Sequence, residues 1–373
     1  MQSTVAIVQC PNYDFEQIGE GVHRALEHLG GIGQFVRRGQ QVLIKPNMLS
    51  AKTPEKAVTT HPAILEAVVR EVFAIGGKPV IGDSPSGANR GVARCWEMTG
   101  FKDVSERTGA RLINFEAGGT TIREIGGRQY HVAKAITEFD VIINLPKFKT
   151  HGLTLYTGAI KNLYGCLPGF QKTVYHRQYS HPRTFSEILV DLYALIRPAL
   201  HVMDAVVGME GNGPATGDLR QTGLILASSD GVALDAVASR IMGFHEGAID
   251  AVRIAGEREL GTVRLDDIEI RGGSLESVLL DDFKLPSNYL ARMVPQFVVR
   301  LLGRFVWVRP RADLEKCTGC GICAESCPVH AIEMSDGHPV MDFRTCINCL
   351  CCNESCPEGA VIQRRSWLAR RFS

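Results

Sequence analysis

The chain has 373 residues, of which 45% are hydrophobic and 22% charged, values typical of a soluble protein of two or three domains. Its net charge of +1 argues against a nucleic-acid binder, because such proteins carry a large excess of positive charge. The sequence predicts neither a signal peptide, since MQSTVAIVQC lacks the pattern, nor a membrane-spanning helix, since no apolar run is long enough.

Residues 4–244 alternate apolar runs with amphipathic stretches, a pattern typical of an α/β fold. Strands are predicted at residues 4–9, 41–46, 78–83, 111–115, 140–146, 201–208 and 223–228. Helices are predicted at residues 61–76, 186–196 and 231–242, with His61 at a helix N-terminus. The near-continuous apolar character of the strands indicates a mostly parallel sheet covered by helices on both faces.

Polar side chains follow several of these strands at the point where each strand ends. Lys45 and Asn47 close one strand, Asp83 and Ser84 close the next, and Asn144 closes a third. Ligands of parallel sheets bind beyond the carboxyl ends of the strands. We therefore expect these residues to meet in one crevice.

The segment from residue 141 to residue 186 contains no Asp or Glu, although 40 acids in the chain predict about five in such a window. A solvated surface would mix charges of both signs. We therefore expect an anion here: a substrate carboxylate or phosphate, or the carboxylates of Asp83 and Asp204. The basic residues in the segment's first, glycine-bounded loop are Lys147, Lys149, His151 and Lys161.

Residues 246–283 are expected to complete the α/β domain. Residues 284–311 are apolar and basic, which fits either a connector between domains or a helix on a membrane surface. The connector is favoured, because Pro286 and Pro295 interrupt any long amphipathic helix. The tail at 364–373 is basic.

Nine of the twelve cysteines lie between Cys317 and Cys356. CTGCGICAESCP (317–328) and CINCLCCNESCP (346–357) both fit C-x2-C-x2-C-x3-C-P, the pattern of bacterial two-cluster ferredoxins, in which the fourth cysteine binds the other cluster. This predicts two [4Fe–4S] clusters and leaves Cys351 as a buried thiol beside them. The first quartet is Cys317, Cys320, Cys323 and Cys356, and the second is Cys346, Cys349, Cys352 and Cys327.

The predicted organisation is an α/β domain at 1–283, a connector at 284–311, a small α+β ferredoxin-like domain at 312–363 and a basic tail at 364–373. Clustered cysteines in a chain of this size indicate metal ligation rather than disulfides. We therefore predict a cytoplasmic, reducing location.

Four segments carry a family resemblance: KPNMLS, GDSPSG, NLPKFKTHGLTLYTGAIKNLYG and DAVVGMEGNGP. They resemble the iron–sulfur proteins of the family called domain of unknown function 362, over roughly residues 38–245. This resemblance implies a C-terminal ferredoxin module, as is frequent in the family. A more distant similarity is to nickel-pincer lactate racemases, which also place a His before a glycine-rich, lysine-containing turn.

These features favour an iron–sulfur oxidoreductase that takes electrons from a redox partner protein and passes them to an anionic small molecule. The cations would stabilise charge that develops on reduction, His151 or Lys161 would supply a proton, and Asp83 would orient a cation or act as base. Further anion contacts are predicted from Lys45, Asn47, Ser84 and Asn162.

Two alternatives remain open at the level of sequence. In one, the protein is an electron carrier or assembly factor whose α/β domain docks a partner protein through the acid-free segment. In the other, the α/β domain holds its own metal ion through histidines. Contact with a membrane surface is not favoured.

Overall fold

The computed structural model describes residues 2–85, 91–179, 181–286, 289 and 308–366. Most of the predicted connector and of the basic tail lie outside these residues. Within the described part of the chain, no helix is long and apolar enough to cross a membrane.

The N-terminal part of the chain is an α/β domain, as predicted. Its strands are β1 (Ser3–Gln9), β2 (Gln41–Pro46), β3 (Lys78–Asp83), β4 (Arg111–Asn114), β5 (Thr120–Ile125), β6 (Arg128–Ala133), β7 (Val141–Leu145), β8 (Lys147–His151), β9 (Leu155–Thr157), β10 (Leu200–Glu210), β11 (Asp218–Ser228) and β12 (Ile268–Arg271). Its helices are α1 (Phe15–Glu27), α2 (Pro62–Ala74), α3 (Val92–Met98), α4 (Phe101–Thr108), α5 (Ala159–Asn162), α6 (Phe170–Gln178), α7 (Pro182–Ile196), α8 (Gly231–Ile241) and α9 (Asp250–Glu257).

Ten strands form one sheet in the order β12-β1-β11-β10-β7-β2-β3-β4, with β8 paired to β10 and β9 to β8. The pairs β7–β2, β2–β3, β3–β4 and β10–β7 are parallel, whereas β11 runs antiparallel to β1 and β10. The sheet is therefore mostly parallel, as predicted. The carboxyl ends of β2, β3 and β7 lie side by side at one edge.

Strand β2 shows why the sheet needs helices on both faces. Its successive side chains point to opposite sides. Val42 and Ile44 pack in the hydrophobic cluster that includes α1 and α2, while Leu43 belongs to the cluster that includes α7 and α8. Helix α2 begins as predicted: Pro62 takes the first turn, and the side chain of His61 accepts a hydrogen bond from the Ala63 N–H.

The C-terminal module consists of β13 (Val308–Ala312), α10 (Ile322–Glu325), β14 (Ile332–Ser335), β15 (His338–Met341), α11 (Cys351–Ser355) and β16 (Val361–Arg365). β13 pairs with β16, and β14 with β15. β13 begins at Val308, within the predicted connector, and pairs with β16 along its whole length.

The two halves of this module repeat in conformation as well as in sequence. Positive φ angles occur at Gly319 (70°) and Asn348 (52°), and again at Gly321 (76°) and Leu350 (64°), each pair being 29 residues apart. Helices α10 and α11 begin at matching positions, immediately after Gly321 and Leu350. The tight backbone that wraps a cluster is therefore present in both halves, although only the first half builds it from glycine.

Candidate functional site

The lysine-rich segment after β7 is a hairpin, where the sequence suggested a loop. Strand β8 continues beyond Pro146, runs parallel to β10 and turns back into β9. All five of its residues are buried. Because side chains alternate along a strand, Lys147, Lys149 and His151 share one face, and Phe148 packs on the other against Phe283. The alternation K-F-K-T-H was the signal for a strand, and the surrounding glycines obscured it.

Two of the predicted anion-binding lysines are neutralised by aspartates of the same domain. The Lys147 Nζ donates to Asp204 at 2.7 Å and to the Tyr13 hydroxyl at 2.8 Å. The Lys45 Nζ lies 2.8 Å from the Asp83 carboxylate. Both pairs are buried. Lys45 and Asp83, at the ends of neighbouring strands, therefore meet as an internal ion pair, and Lys147 forms a second one with Asp204.

Asp83 is further held by the backbone. Its carboxylate accepts hydrogen bonds from the N–H groups of Met48 and Ser84, each at 2.8 Å. With Lys45 as a third partner, the carboxylate is fully engaged at the end of β3. The two roles predicted for it, orienting a cation or acting as a base, stay predictions.

Lys149 and two asparagines form a second buried network. The Lys149 Nζ donates to the Asn47 side chain at 2.8 Å and to the Val58 carbonyl at 2.6 Å. Asn47 donates to Asn162 at 2.8 Å, and Asn162 to Asn144 at 2.7 Å. Burial lowers the pKa of Lys149 well below its usual value. The network fixes α5 against the ends of β2 and β7.

His151 joins the two domains. Its Nδ1 accepts a hydrogen bond from the Leu153 N–H at 2.9 Å, so the proton of the neutral ring lies on Nε2. Nε2 lies 2.9 Å from the carboxylate of Glu354, on α11 of the ferredoxin-like module. Burial is the main reason that the pKa of His151 falls to about 3. Both ring nitrogens of His151 are thus engaged, one of them by the module.

Further contacts bring the module close to the hairpin. The Asn353 side chain donates to the Thr216 hydroxyl at 3.1 Å. Gly152, in the turn between β8 and β9, has no room for a side chain, because a Cβ there would stand 2.6 Å from Leu350. The module therefore packs directly on the residues that the sequence singled out.

A cavity of about 80 Å³ lies between the two domains and is called the interdomain cavity below. At about 10–15 Å³ per water on this measure, it has room for several waters or one small molecule. The residues lining it are Asn47, Met48, Leu49, Asp83, Ser84, Lys149, His151, Thr157, Lys161, Asn162, Tyr164, Gly165, Gly169, Lys172, Thr173, His176 and Pro214 of the α/β domain, with Glu325, Ser326, Cys351, Glu354 and Ser355 of the module.

Lys161 is a predicted cation that lines the interdomain cavity and forms no ion pair with a described residue. Among the described residues, no carboxylate lies within ion-pair distance of its Nζ, which sits 5.8 Å from the centre of the Tyr164 ring. Burial lowers its pKa, and the attraction of Glu354 opposes that shift. An ammonium group held in this way is suited to a bound anion.

Three buried polar atoms in the cavity wall lack a hydrogen-bond partner within the described structure: Thr157 Oγ1, His176 Nδ1 and Ser355 Oγ. Each of these side chains is more than nine-tenths buried. Buried polar groups are normally paired, and unpaired ones are costly. The interdomain cavity is therefore lined for a polar occupant.

Sequence reasoning placed Lys172 and His176 in the acid-free segment but did not assign them to the site. They lie four residues apart on α6 and so share one helix face. The Lys172 Nζ donates to the Ser84 hydroxyl at 2.5 Å and to the Pro85 carbonyl at 2.9 Å. Burial lowers its pKa to about 8. Their helical spacing within the segment was the available signal.

The module's contribution was also missed. Glu325, Ser326, Cys351, Glu354 and Ser355 line the interdomain cavity, although the sequence marked only Cys351, as a buried thiol beside a cluster. Glu325 and Glu354 occupy matching positions in the two repeats, as do Ser326 and Ser355. The sequence shows that these residues repeat, but it does not show that their side chains face another domain.

The eight predicted cluster ligands surround two separate small cavities in the module. Cys317, Cys320, Cys323 and Cys356 line one, and Cys327, Cys346, Cys349 and Cys352 line the other, each of about 20 Å³. Each set matches one predicted quartet, including the exchanged fourth cysteine. No group of three His, Cys, Asp or Glu side chains in the described residues is arranged to hold a single metal ion. Each quartet brings together four cysteine side chains, the ligand set that a [4Fe–4S] cluster requires.

Fold and cysteine arrangement together define an α/β protein with a C-terminal iron–sulfur module. The sequence model described as domain of unknown function (DUF362) matches residues 42–240, and that of a 4Fe–4S binding domain matches residues 310–333. The chain belongs to the DUF362 family and carries a 4Fe–4S binding domain, as the sequence predicted.

One curated relative supports this assignment. The chain is 33% identical to "Thylakoid-associated protein sll1697" of Synechocystis sp. over 289 residues, which is 77% of this chain and 88% of the relative.

Two solved structures align with part of this chain. The lactate racemase apoprotein from Thermoanaerobacterium thermosaccharolyticum aligns with a TM-score of 0.44 and 12% identity over 65% of this chain and 57% of its own. A protein from Thermotoga maritima aligns with a TM-score of 0.39 and 13% identity, over 67% of this chain and 60% of its own. This chain thus spans less than two thirds of either structure.

Proposed function

We propose that this protein passes electrons through two [4Fe–4S] clusters to a small anionic substrate bound in the interdomain cavity. The observation that carries the proposal is the position of this cavity. One wall presents Lys161, which forms no ion pair with a described residue, and the other is α11, in which Cys352 is a predicted cluster ligand. Bound anion and electron source would thus be neighbours.

The two cysteine-lined cavities support the count of two clusters. Each holds four predicted ligands, three from one repeat and one from the other. Bound there, [4Fe–4S] clusters supply single electrons. A reduced one-electron carrier protein would serve as the donor, and the cysteine clustering favours the cytoplasm as the location.

The size and polarity of the interdomain cavity narrow the substrate class. Its volume of about 80 Å³ excludes a nucleotide or a flavin and suits an anion of a few heavy atoms. Lys161 would offer its N–H donors to the anion and stabilise charge that develops on reduction. Thr157 and His176 would pair their free polar atoms with the same molecule.

Among the predicted proton donors, Lys161 is favoured over His151. His151 is neutral and engaged on both nitrogens. The Lys161 ammonium faces the interdomain cavity, and its lowered pKa makes proton release easier than for an exposed lysine. A two-electron reduction of the anion would consume two electrons from the carrier protein and two protons, one of them from Lys161.

The proposal is tested with anaerobically purified full-length protein. Iron and acid-labile sulfide analysis should give eight of each per chain, the content of two [4Fe–4S] clusters. Photoreduced protein is then mixed with nitrite, sulfite or glyoxylate, and reoxidation is followed by visible absorbance. We expect at least one anion to reoxidise the protein at a rate that saturates with its concentration.

Two variants decide whether the interdomain cavity is the site. Lys161→Met should abolish saturation while leaving iron content unchanged. Lys134→Met, which alters an exposed lysine outside the cavity lining, should behave like the wild type. Equal rates in the two variants, or fewer than eight irons in fully reconstituted protein, would refute the proposal.

A further inference from the structure

The ferredoxin-like module carries a second concave site, which is called the surface groove below. Its volume is about 280 Å³, and strands β13, β15 and β16 form it together with residues that follow β13 and β15. The groove and the interdomain cavity share no lining residue, so a molecule in one leaves the other open. The residues lining the groove are Arg309, Pro310, Arg311, Ala312, Leu314, Pro339, Met341, Phe343 and Arg364.

Three arginines and no acidic residue line the surface groove. Arg309 and Arg311 lie two residues apart on β13, so their side chains share one face of the strand. Arg364 pairs directly with Arg309 across the two strands, and like charges in such positions destabilise a sheet. Within the described part of the chain, neither Arg311 nor Arg364 has a carboxylate within ion-pair distance. An anionic surface laid on the groove would offset this repulsion.

The positive charge is concentrated in the groove and does not reflect a basic module. Residues 308–366 contain eight acidic and six basic residues, and three of those six line the groove. Beside the arginines lie two exposed apolar side chains, Leu314 (59% exposed) and Phe343 (40% exposed). The Arg309 guanidinium lies 5.0 Å from the centre of the Phe343 ring. Exposed apolar groups with a charged rim, rich in arginine and aromatic residues, are typical of protein interfaces.

The form of the surface groove favours an acidic protein over other anionic partners. Water and salt screen exposed arginines, so a single small anion would bind weakly. An acidic protein face would engage all three arginines at once and would also cover Leu314 and Phe343. A membrane surface is flat, whereas the groove is concave, so a protruding part of a protein fits it better.

The surface groove adjoins both predicted cluster sites. Pro310 and Met341 line the groove on one side and the cavity of the second quartet on the other. Pro339 is shared in the same way with the cavity of the first quartet. A single layer of side chains therefore separates the groove from each quartet. A redox protein docked there would stand close to both predicted clusters.

We infer that the surface groove is the docking site for the reduced one-electron carrier, and that this carrier presents a carboxylate-rich face. The inference rests on the proposed function and names the class of its partner. The carrier would lose one electron and a [4Fe–4S] cluster would pass from the 2+ to the 1+ state, with no bond formed or broken. Because the groove and the interdomain cavity have separate walls, the docked carrier would not obstruct the anion.

The test uses anaerobically reconstituted full-length protein and a reduced, acidic plant-type [2Fe–2S] ferredoxin as the carrier. Stopped-flow absorbance gives the second-order rate constant of electron exchange at low salt. Arg311→Glu/Arg364→Glu should lower it about tenfold to a hundredfold, because complementary charges accelerate association by such factors. The difference should vanish near 1 M salt, where the screening length is only about 3 Å.

Matched variants show whether position or total charge matters. Lys78→Glu/Lys134→Glu makes the same change in net charge at two exposed lysines of the α/β domain, and should exchange electrons like the wild type. Arg311→Gln/Arg364→Gln removes the charges without reversing them and should give an intermediate rate. It also replaces the Glu variant if iron analysis shows that the latter fails to load its clusters. Amidation of the carrier's carboxylates should slow exchange with the wild type by a similar factor.

Three outcomes would overturn the inference. One is equal rates in the arginine and lysine variants, and another is no exchange between the wild type and the ferredoxin at low salt. The third is arginine-dependent binding to anionic phospholipid vesicles without any effect on ferredoxin exchange, since the groove would then be a membrane contact.

The docking site and the anion site are tested separately. Oxalate, a small dianion that is not reduced under these conditions, should leave ferredoxin exchange unchanged at matched ionic strength. Inhibition by oxalate would place the carrier at the interdomain cavity and refute the inference. Photoreduction bypasses the carrier, so reoxidation by the test anions should be normal in Arg311→Glu/Arg364→Glu. If no anion reoxidises even the wild type, the proposed function fails, whereas the rates with ferredoxin still decide the docking site.

Discussion

Lys45 of β2 and Lys147 of β8 have surroundings opposite to those of Lys161 of α5. Lys147 and Lys45 are each matched by an aspartate within 2.8 Å. The Lys161 Nζ lies 5.8 Å from the centre of the Tyr164 ring, and the residue lines the interdomain cavity. The same residue type thus builds the scaffold in one region and the candidate binding site in the other. The position of a neighbouring carboxylate, and not the residue type, decides which of the two roles a lysine has.

Breaking an ion pair of the scaffold should have the largest effect. Asp204→Asn leaves Lys147 buried without a counter-charge, which we expect to cost about 3–5 kcal/mol of unfolding free energy. Anaerobic denaturant titration followed by circular dichroism measures this. Adding Lys147→Met to the variant removes the orphaned charge and should recover part of the loss. A double variant less stable than the single one would show that the pair is not the stabilising unit.

The link between the domains should rank second. His151→Ala leaves the buried Glu354 carboxylate without its donor, at a cost of about 1–3 kcal/mol. Because the bond spans the two domains, limited proteolysis should cleave between them faster in this variant. The control is His23→Ala, whose side chain is 58% exposed and whose loss should change little. Unchanged cleavage in His151→Ala would mean that other contacts hold the module.

Removing the cation of the interdomain cavity should change stability least and in the other direction. The lowered pKa of Lys161 shows that the fold disfavours its charge. Lys161→Met should therefore raise the unfolding free energy slightly while weakening oxalate binding about tenfold to a hundredfold, the value of a charged hydrogen bond. Calorimetric titration and the denaturant assay measure the two effects. A clear loss of stability would move Lys161 into the scaffold group.

The smallest effect expected is a pH dependence. Lys172 has a pKa of about 8, so it is charged below that pH and neutral above it. Anion affinity should therefore be highest below pH 8 and fall several-fold as the pH rises through that value. Lys172→Met should bind weakly at all pH values in this range. Oxalate titrations at several pH values test this, and a wild-type affinity that is flat between pH 7 and 9 would contradict it.

Much of the fold could be predicted from the sequence, because the patterns that specify strands and helices are local. Each predicted strand, from 4–9 to 223–228, corresponds to an observed one within a few residues, and His61 begins a helix as expected. The cysteine spacing likewise specified which four side chains surround each small cavity. Periodicity, capping and ligand spacing all act within short stretches of chain.

The candidate site could be predicted from the sequence only in part, because its main contacts join residues that are far apart in the chain. The partner of Lys147 lies 57 residues away and that of His151 lies 203 residues away. No local pattern distinguishes a lysine that will meet an aspartate from one that will not. For the same reason, the wall contributed by α11 was not predicted.

Helix α11 takes part both in the predicted cluster sites and in the wall of the interdomain cavity. It begins beside one predicted cluster ligand and ends beside another, while its middle forms a wall of the interdomain cavity and holds His151. Iron-binding energy is folding energy for a small metal-bound module. Loss of iron would therefore loosen that wall and deform the pocket. Under the proposed function, oxidative loss of iron would weaken anion binding in the interdomain cavity together with electron transfer.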